Sequence, residues 1–317
     1  MTKPGVEKIP LLVLVGPTAV GKTAFAISLA SILNTDIISS DSAQVYRHLD
    51  IGTAKPTANE QALVKHYMID LVKPDQFFSA ADYKKMVDEL IPILWKKGRL
   101  PFMVGGTGLY VDAVTNRYAF GEKAYSSEIR NLLGERAEIE GLEALYKELE
   151  EIDPAAAQRI HPNDRRRILR ALEVYQLEGK PISEQVTETA KQEPIYQTAY
   201  FGLNMQREQL YERINRRVEQ MLDQGFLEEV EHLKNCGYGM DAPAMQILGY
   251  RQLYQYLSGK ISWDDTLNAI KKETRNLAKR QLTWFRRNKA IIWFDITEQK
   301  RVEEFIENIC LKVKDMT

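Results

Sequence analysis

Leu11-Leu12-Val13-Leu14-Val15, followed at once by Gly16-Pro17-Thr18-Ala19-Val20-Gly21-Lys22-Thr23, is the stretch on which the fold of this chain turns. The five apolar residues show no alternation, so they read as a strand buried on both faces. Ala24 to Leu33 then reads as a helix with Phe25, Leu29 and Leu33 on one side. Between them stands a complete phosphate-binding pattern. Its glycines let the backbone curl until successive N–H groups and the helix N-terminus face one anion. Lys22 adds a positive charge and Thr23 offers a hydroxyl to a magnesium ion. A diphosphate or triphosphate therefore binds here, whether it is transferred, hydrolysed or held as a leaving group.

Outward from this unit the chain keeps alternating. Asp36 to Ser40 predicts a second strand ending on Asp41. A polar loop runs through Gly52-Thr53-Ala54-Lys55-Pro56, and a short apolar segment covers His66 to Val72. Tyr83 to Lys97 predicts a helix burying Met86, Leu90, Ile93 and Leu94, with Pro92 as a kink point. Pro101 to Val104 predicts a further buried strand, stopped by Gly105-Gly106-Thr107-Gly108. Strand and helix alternating behind a phosphate loop imply an α/β fold, a three-layer parallel sheet of the P-loop NTPase type. From Tyr118 to Ala199 strand signals vanish and helices rich in Glu, Lys and Arg take over, which predicts an all-helical domain at 119–199 inserted into a core of 1–118 and 200–317. Tyr200 to Leu203 and Ile291 to Phe294 are the returning strands.

With 43 Lys and Arg against 44 Asp and Glu in 317 residues, the net charge of −1 offers no general attraction to a polyanion, so any such partner must be held by local clusters. Two exist, Arg159 to Arg170 and Lys271 to Lys289. In the first, Arg166 and Arg170 form an i, i+4 pair off the apolar face; in the second, Arg275, Lys279 and Arg286 share a side. No apolar run approaches the ~20 residues that span a bilayer, and Met1 to Pro10 lacks the features of a signal peptide, which predicts a cytoplasmic protein without a membrane partner. Cys236 and Cys310 have no close Cys or His at metal-finger spacing, so no zinc site is expected.

Asp41 stands at the carboxyl end of a strand, on the edge where open α/β sheets bind ligands. A carboxylate there binds magnesium, acts as a general base or caps a turn. The glycines of 105–108 suit either close backbone approach to a ligand or a plain turn. Strand 102–104 lacks the magnesium-holding Asp of many nucleotide-hydrolysing P-loop proteins, which speaks mildly against hydrolysis. On residue chemistry alone the leading reading is a small-molecule or nucleotide kinase whose arginines clamp a phosphoryl group.

The motifs taken together move the reading elsewhere. The phosphate loop, Asp41-Ser42-Ala43-Gln44-Val45-Tyr46, Asp50-Ile51-Gly52-Thr53-Ala54-Lys55-Pro56 and Gly105-Gly106-Thr107-Gly108-Leu109-Tyr110 resemble, in order and spacing, the tRNA dimethylallyltransferases of bacterial type. So do Ile160-His161-Pro162-Asn163-Asp164, Arg167 to Tyr175, Ile247-Leu248-Gly249-Tyr250-Arg251 and Arg275 to Arg286. The resemblance implies transfer of a dimethylallyl group from dimethylallyl diphosphate to N6 of adenosine-37 in tRNA, next to the anticodon, with release of diphosphate. It implies Asp41 as general base and Thr18 beside the reacting groups. It places the diphosphate on Gly16, Pro17, Thr18, Ala19, Val20, Gly21, Lys22 and Thr23 with Arg275, and magnesium on Thr23. Asp41, Ser42, Ala43 and Gln44, the segment Arg166, Arg167, Ile168, Leu169 and Arg170, and the single residues Thr107 and Arg130 match tRNA contacts. The nucleotide-type loop would then hold a leaving group. A kinase, which would consume ATP, and an adenylate isopentenyltransferase acting on a free nucleotide are the alternatives, and the large basic insertion favours tRNA over the latter.

Overall fold

The computed structural model of the chain describes residues 8–116, 118, 120, 126–184, 187, 193–298 and 301–316. Its elements are β1 (Ile9–Val15), α1 (Lys22–Ile32), β2 (Ile37–Ser40), α2 (Ala58–Leu63), β3 (His66–Tyr67), α3 (Ala80–Lys96), β4 (Phe102–Gly105), α4 (Gly108–Thr115), α5 (Ser127–Ile139), α6 (Leu142–Ile152), α7 (Pro154–Ala157) and α8 (Arg165–Glu178). There follow β5 (Tyr196–Asn204), α9 (Arg207–Asp223), α10 (Phe226–Asn235), a 3₁₀ turn at Pro243–Gln246, α11 (Tyr250–Leu257), α12 (Trp263–Phe285), β6 (Ile292–Asp295) and α13 (Val302–Lys314).

Two compact units result, Met1–Val111 with Ile195–Thr317, and Asp112–Pro194. The division falls earlier than the expected 119 and 199. The chain leaves the first unit inside α4, and β5 starts at Tyr196 rather than Tyr200 because its pairing with β1 begins at Ile9 opposite Tyr196. Residues 1–7 and the expected boundary residue 119 lie outside the described residues.

In the first unit six parallel strands run in the order β3-β2-β4-β1-β5-β6. β1 is central: Leu12 lies opposite Phe102 of β4 on one side and Ala199 of β5 on the other. Leu11 to Val15 are at most 1% exposed, which explains the absence of alternation. Burying each such side chain stabilises by roughly 1.5–3 kcal/mol. Because all strands point one way, the loops after β1, β2 and β4 emerge on one edge. These are the phosphate loop, Asp41 and the Gly105–Gly108 turn.

α3 departs from the expected register. Its buried residues are Tyr83, Val87, Ile91 and Leu94, while Met86 and Ile93 face outward. Ser79 and Asp82 form a reciprocal N-terminal cap that starts the helix at Ala80. The Tyr83 hydroxyl then reaches Ser40 Oγ at 2.7 Å and donates to the Ser39 carbonyl at 3.0 Å, fixing which face looks inward.

The second unit is helical throughout its described elements. Leu133, Leu145, Leu149, Ile168, Ala171 and Leu172 form its own core. Asp164 caps α8, accepting the Arg167 N–H at 3.1 Å, and Gly179 ends it in the left-handed region.

Candidate active site

The phosphate loop is bent by its backbone before any side chain acts. Gly16 has φ 154°, and a Cβ there would meet the Leu203 carbonyl oxygen at 2.6 Å, so only glycine fits. Ala19 adopts φ 64° and Gly21 φ 103°, the alternation that turns consecutive N–H groups toward one point. Lys22 Nζ donates to the carbonyls of Gly16 and Pro17 at 2.9 and 2.7 Å. Burial lowers the Lys22 ammonium from 10.5 to about 7; the Asp41 carboxylate opposes that shift and Arg217 adds to it.

A cavity of about 920 Å³ opens on this edge of the sheet. Thr18, Lys22, Thr23, Asp41 and Gln44 line it, together with Arg213, Arg216, Arg217 and Gln220 of α9 and Gln281 of α12. The α9 residues recur three and four apart, so one helical face lines the cavity, while Leu210, Ile214 and Val218 pack inward. Desolvation lowers the Arg217 guanidinium and the Asp41 carboxylate pulls it back up, so Lys22 and Arg217 both sit in the field of Asp41.

Asp41 follows β2 in a tightly anchored turn. Its Oδ1 accepts the Ala43 N–H at 2.9 Å, and the Ser42 N–H donates to Thr107 Oγ1 at 3.0 Å. Gln44 is oriented at both ends: Ser39 Oγ donates to its oxygen at 3.0 Å, and its nitrogen donates to the carbonyls of Thr53 and Ala54 at 3.3 and 3.2 Å. The loop carrying those carbonyls is itself fixed. Glu229 of α10 accepts the backbone N–H groups of Asp50, Ile51 and Gly52 at 2.9, 2.8 and 3.2 Å, and the Tyr250 hydroxyl at 2.6 Å. Lys55 is buried and donates to the Tyr46 carbonyl at 2.9 Å and to Asp50 and Asp70 at 2.5 and 2.6 Å. The result is a hydrogen-bonded rim in which Asp50 and Asp70 are paired with Lys55, beside a pocket whose Asp41 faces Lys22 and Arg217.

In the second unit Glu173 is fully buried. It accepts from Arg130 at 2.8 Å, Arg170 at 3.1 Å and the Ser126 N–H at 3.2 Å. Arg166 and Arg167 are exposed on the same helix.

A family model described as IPP transferase matches residues 44–288. A tRNA dimethylallyltransferase of Thermoanaerobacter sp. strain X514 is 46% identical over 303 residues, covering 95% of this chain and 96% of the relative. The chain belongs to the tRNA dimethylallyltransferase family. Among solved structures of the family, the full-length tRNA isopentenylpyrophosphate transferase of Bacillus halodurans aligns with a TM-score of 0.72 and 41% identity, covering 98% of each chain. A eukaryotic dimethylallyltransferase caught acting on tRNA aligns with a TM-score of 0.77 and 27% identity, over 92% of this chain and 75% of that one.

For a tRNA dimethylallyltransferase, the residues expected from the sequence fall in four groups. Thr18, Ala19, Gly21, Lys22, Thr23, Asp41 and Gln44 line the cavity. Gly16, Pro17 and Val20 belong to the phosphate loop, and Ser42, Ala43 and Thr107 to the turns hydrogen-bonded around Asp41, without lining the cavity themselves. Arg275 lies elsewhere: its Nη1 donates to Asn215 Oδ1 at 2.6 Å and its guanidinium sits over the Tyr211 ring, joining α12 to α9. Ile168 is fully buried in the helical core, Leu169 packs against that core and Arg170 is half-buried on Glu173, so within the segment 166–170 it is Arg166 and Arg167 that are exposed. Arg217, Gln281 and Glu229 escaped sequence reasoning. α9 mixes its arginines with Glu208, Glu212 and Glu219, so no basic run flags it; the 213–217–220 spacing opposite an apolar stripe was the available signal.

Proposed function

We propose that this enzyme transfers a dimethylallyl group from dimethylallyl diphosphate to N6 of adenosine-37 in tRNA and releases diphosphate in the cytoplasm. The observation that carries the reading is Asp41 facing the same cavity as the phosphate loop, in the field of Lys22 and Arg217. An adenine N6 lone pair is delocalised into the ring and weakly nucleophilic. As N6 bonds to the allylic carbon and the carbon–oxygen bond to diphosphate breaks, Asp41 takes the N6 proton, a general-base contribution of typically 10²–10⁴-fold. Negative charge grows on the departing diphosphate, and Lys22, Arg217 and the uncapped first-turn N–H groups of α1, which meet at this cavity, would stabilise it.

Magnesium is usually held by one or two protein oxygens together with substrate phosphates. Thr23 supplies such an oxygen at the first turn of α1, and no cluster of three or more His, Cys, Asp or Glu able to hold a metal occurs among the described residues. The donor set thus fits a metal that arrives with its diphosphate, and the bound ion would neutralise part of the leaving group's charge.

The test is to incubate the protein with dimethylallyl diphosphate, magnesium and unmodified tRNA, and to weigh the nucleosides after digestion. Wild type should add one dimethylallyl mass to adenosine-37. Asp41→Asn should bind the tRNA and fall at least about 100-fold in transfer; a loss of threefold or less would remove Asp41 as the base.

A further inference from the structure

Gln281 closes the head of the phosphate loop. Its carboxamide oxygen accepts the Thr18 N–H at 2.8 Å and its nitrogen donates to the Gly106 carbonyl at 3.1 Å. The amide is therefore oriented at both ends, and it joins the loops that leave the neighbouring strands β1 and β4. The carbonyls of Gly16 and Pro17 at this head are taken as well, by Lys22 Nζ.

The tail of the loop differs. Where α1 begins, the first-turn N–H groups have no acceptor inside the helix, and the Gly21 N-cap supplies no side-chain cap. Donors for an anion are thus concentrated at the tail, around Lys22 and Thr23. A chain of phosphoryl groups lies along such donors. Two groups can be served from the tail, but a third must lie against the head. There the Thr18 N–H is already engaged, and the acceptor that engages it carries partial negative charge toward any incoming phosphoryl oxygen.

We infer that Gln281 sets the selectivity of the loop, admitting a diphosphate and turning away a triphosphate. The inference rests on the reading of the loop as a diphosphate site and adds the residue that restricts it. It accounts for how a loop of nucleotide-binding pattern serves a reaction with no nucleoside triphosphate: the position a third phosphoryl would need is held shut from α12. Gln281 acts through Thr18 and Gly106 and is a positioning residue.

The test uses inorganic pyrophosphate and tripolyphosphate, each with magnesium, titrated by calorimetry into wild type, Gln281→Ala and Gln281→Asn. The asparagine amide is one methylene too short to span Thr18 and Gly106, so it repeats the loss with a smaller change of volume. Tripolyphosphate is the more highly charged probe, and a merely cationic pocket would prefer it. Wild type should instead prefer pyrophosphate by about tenfold or more, the worth of one hydrogen bond to a charged group. Both variants should lose that preference, through tighter binding of tripolyphosphate and not through weaker binding of pyrophosphate. The inference is overturned if wild type shows no preference, if the preference survives in both variants, or if the two affinities fall together, as general loosening of the loop would produce. Wild type that binds neither probe would overturn the diphosphate reading itself, an outcome distinct from lost selectivity.

Discussion

Arg217 and Arg275 sit on neighbouring helices and do different work. Arg217 lines the cavity within the field of Asp41, whereas Arg275 is spent on Asn215 and the Tyr211 ring. Charge-assisted hydrogen bonds to a phosphate are worth about 1.5–3 kcal/mol, so Arg217→Ala should weaken pyrophosphate binding by roughly ten- to a hundredfold. Arg275→Ala should leave that affinity within about twofold and lower the thermal midpoint instead, because it removes a hydrogen bond and a cation–ring interaction between two helices. Titration of pyrophosphate into both variants, beside thermal melts, separates them. The reverse pattern would return Arg275 to the site. The sequence reading put Arg275 on the diphosphate and passed over Arg217, since a helix register shows which residues share a face but not which face meets a cavity and which meets another helix.

α8 carries its own electrostatic device. Glu173 is fully buried and holds Arg130 and Arg170, two of the residues matched to tRNA contacts, in one ion-pair cluster. Its carboxyl is held below the usual 4.5; burial alone would raise it, and the two arginines with the Ser126 N–H outweigh that. A depressed folded value means that the unfolded chain binds the proton more readily. The stabilisation is therefore present above about pH 4.5 and is lost as pH falls through the folded value. Glu173→Gln should destabilise the helical unit at neutral pH by about 1–3 kcal/mol, because the arginines remain partly solvated. Hydrogen exchange of amides in α5 and α8 reads this, and the gap between wild type and variant should close in acid. A gap constant with pH would mean that the charge of Glu173 is not what stabilises. That α8 is a helix was legible from Arg166 and Arg170 standing i, i+4 off an apolar face. The cluster was not, because Glu173 and Arg130 lie 43 positions apart and no local pattern joins them.

At the scale of the whole chain, most of the α/β unit could be read from Leu11 to Thr23 and the buried strands that follow, since unbroken apolar runs and a glycine loop have few other uses. What escaped were side chains arriving from distant elements: Gln281 on Thr18, and Glu229 on the loop at 50–52. For the proposed RNA grip of the helical unit, Arg166 and Arg167 are the arginines of α8 that are exposed and outside the Glu173 cluster. Replacing both by Ala should weaken binding similarly for different tRNAs and reduce the log–log salt slope by roughly 0.7 to 0.9 for every phosphate that is no longer neutralised. Pyrophosphate affinity should not move; an unchanged slope would make them ordinary surface charge. The phosphate loop, on this account, holds a leaving diphosphate and not a nucleotide. That is tested most directly by following one reaction with purified protein, dimethylallyl diphosphate, magnesium and tRNA, counting pyrophosphate released against prenylated adenosine formed, with ATP absent and then present. The account expects one pyrophosphate per modified adenosine and no ATP consumed. A requirement for ATP, or ADP appearing in step with product, would contradict it.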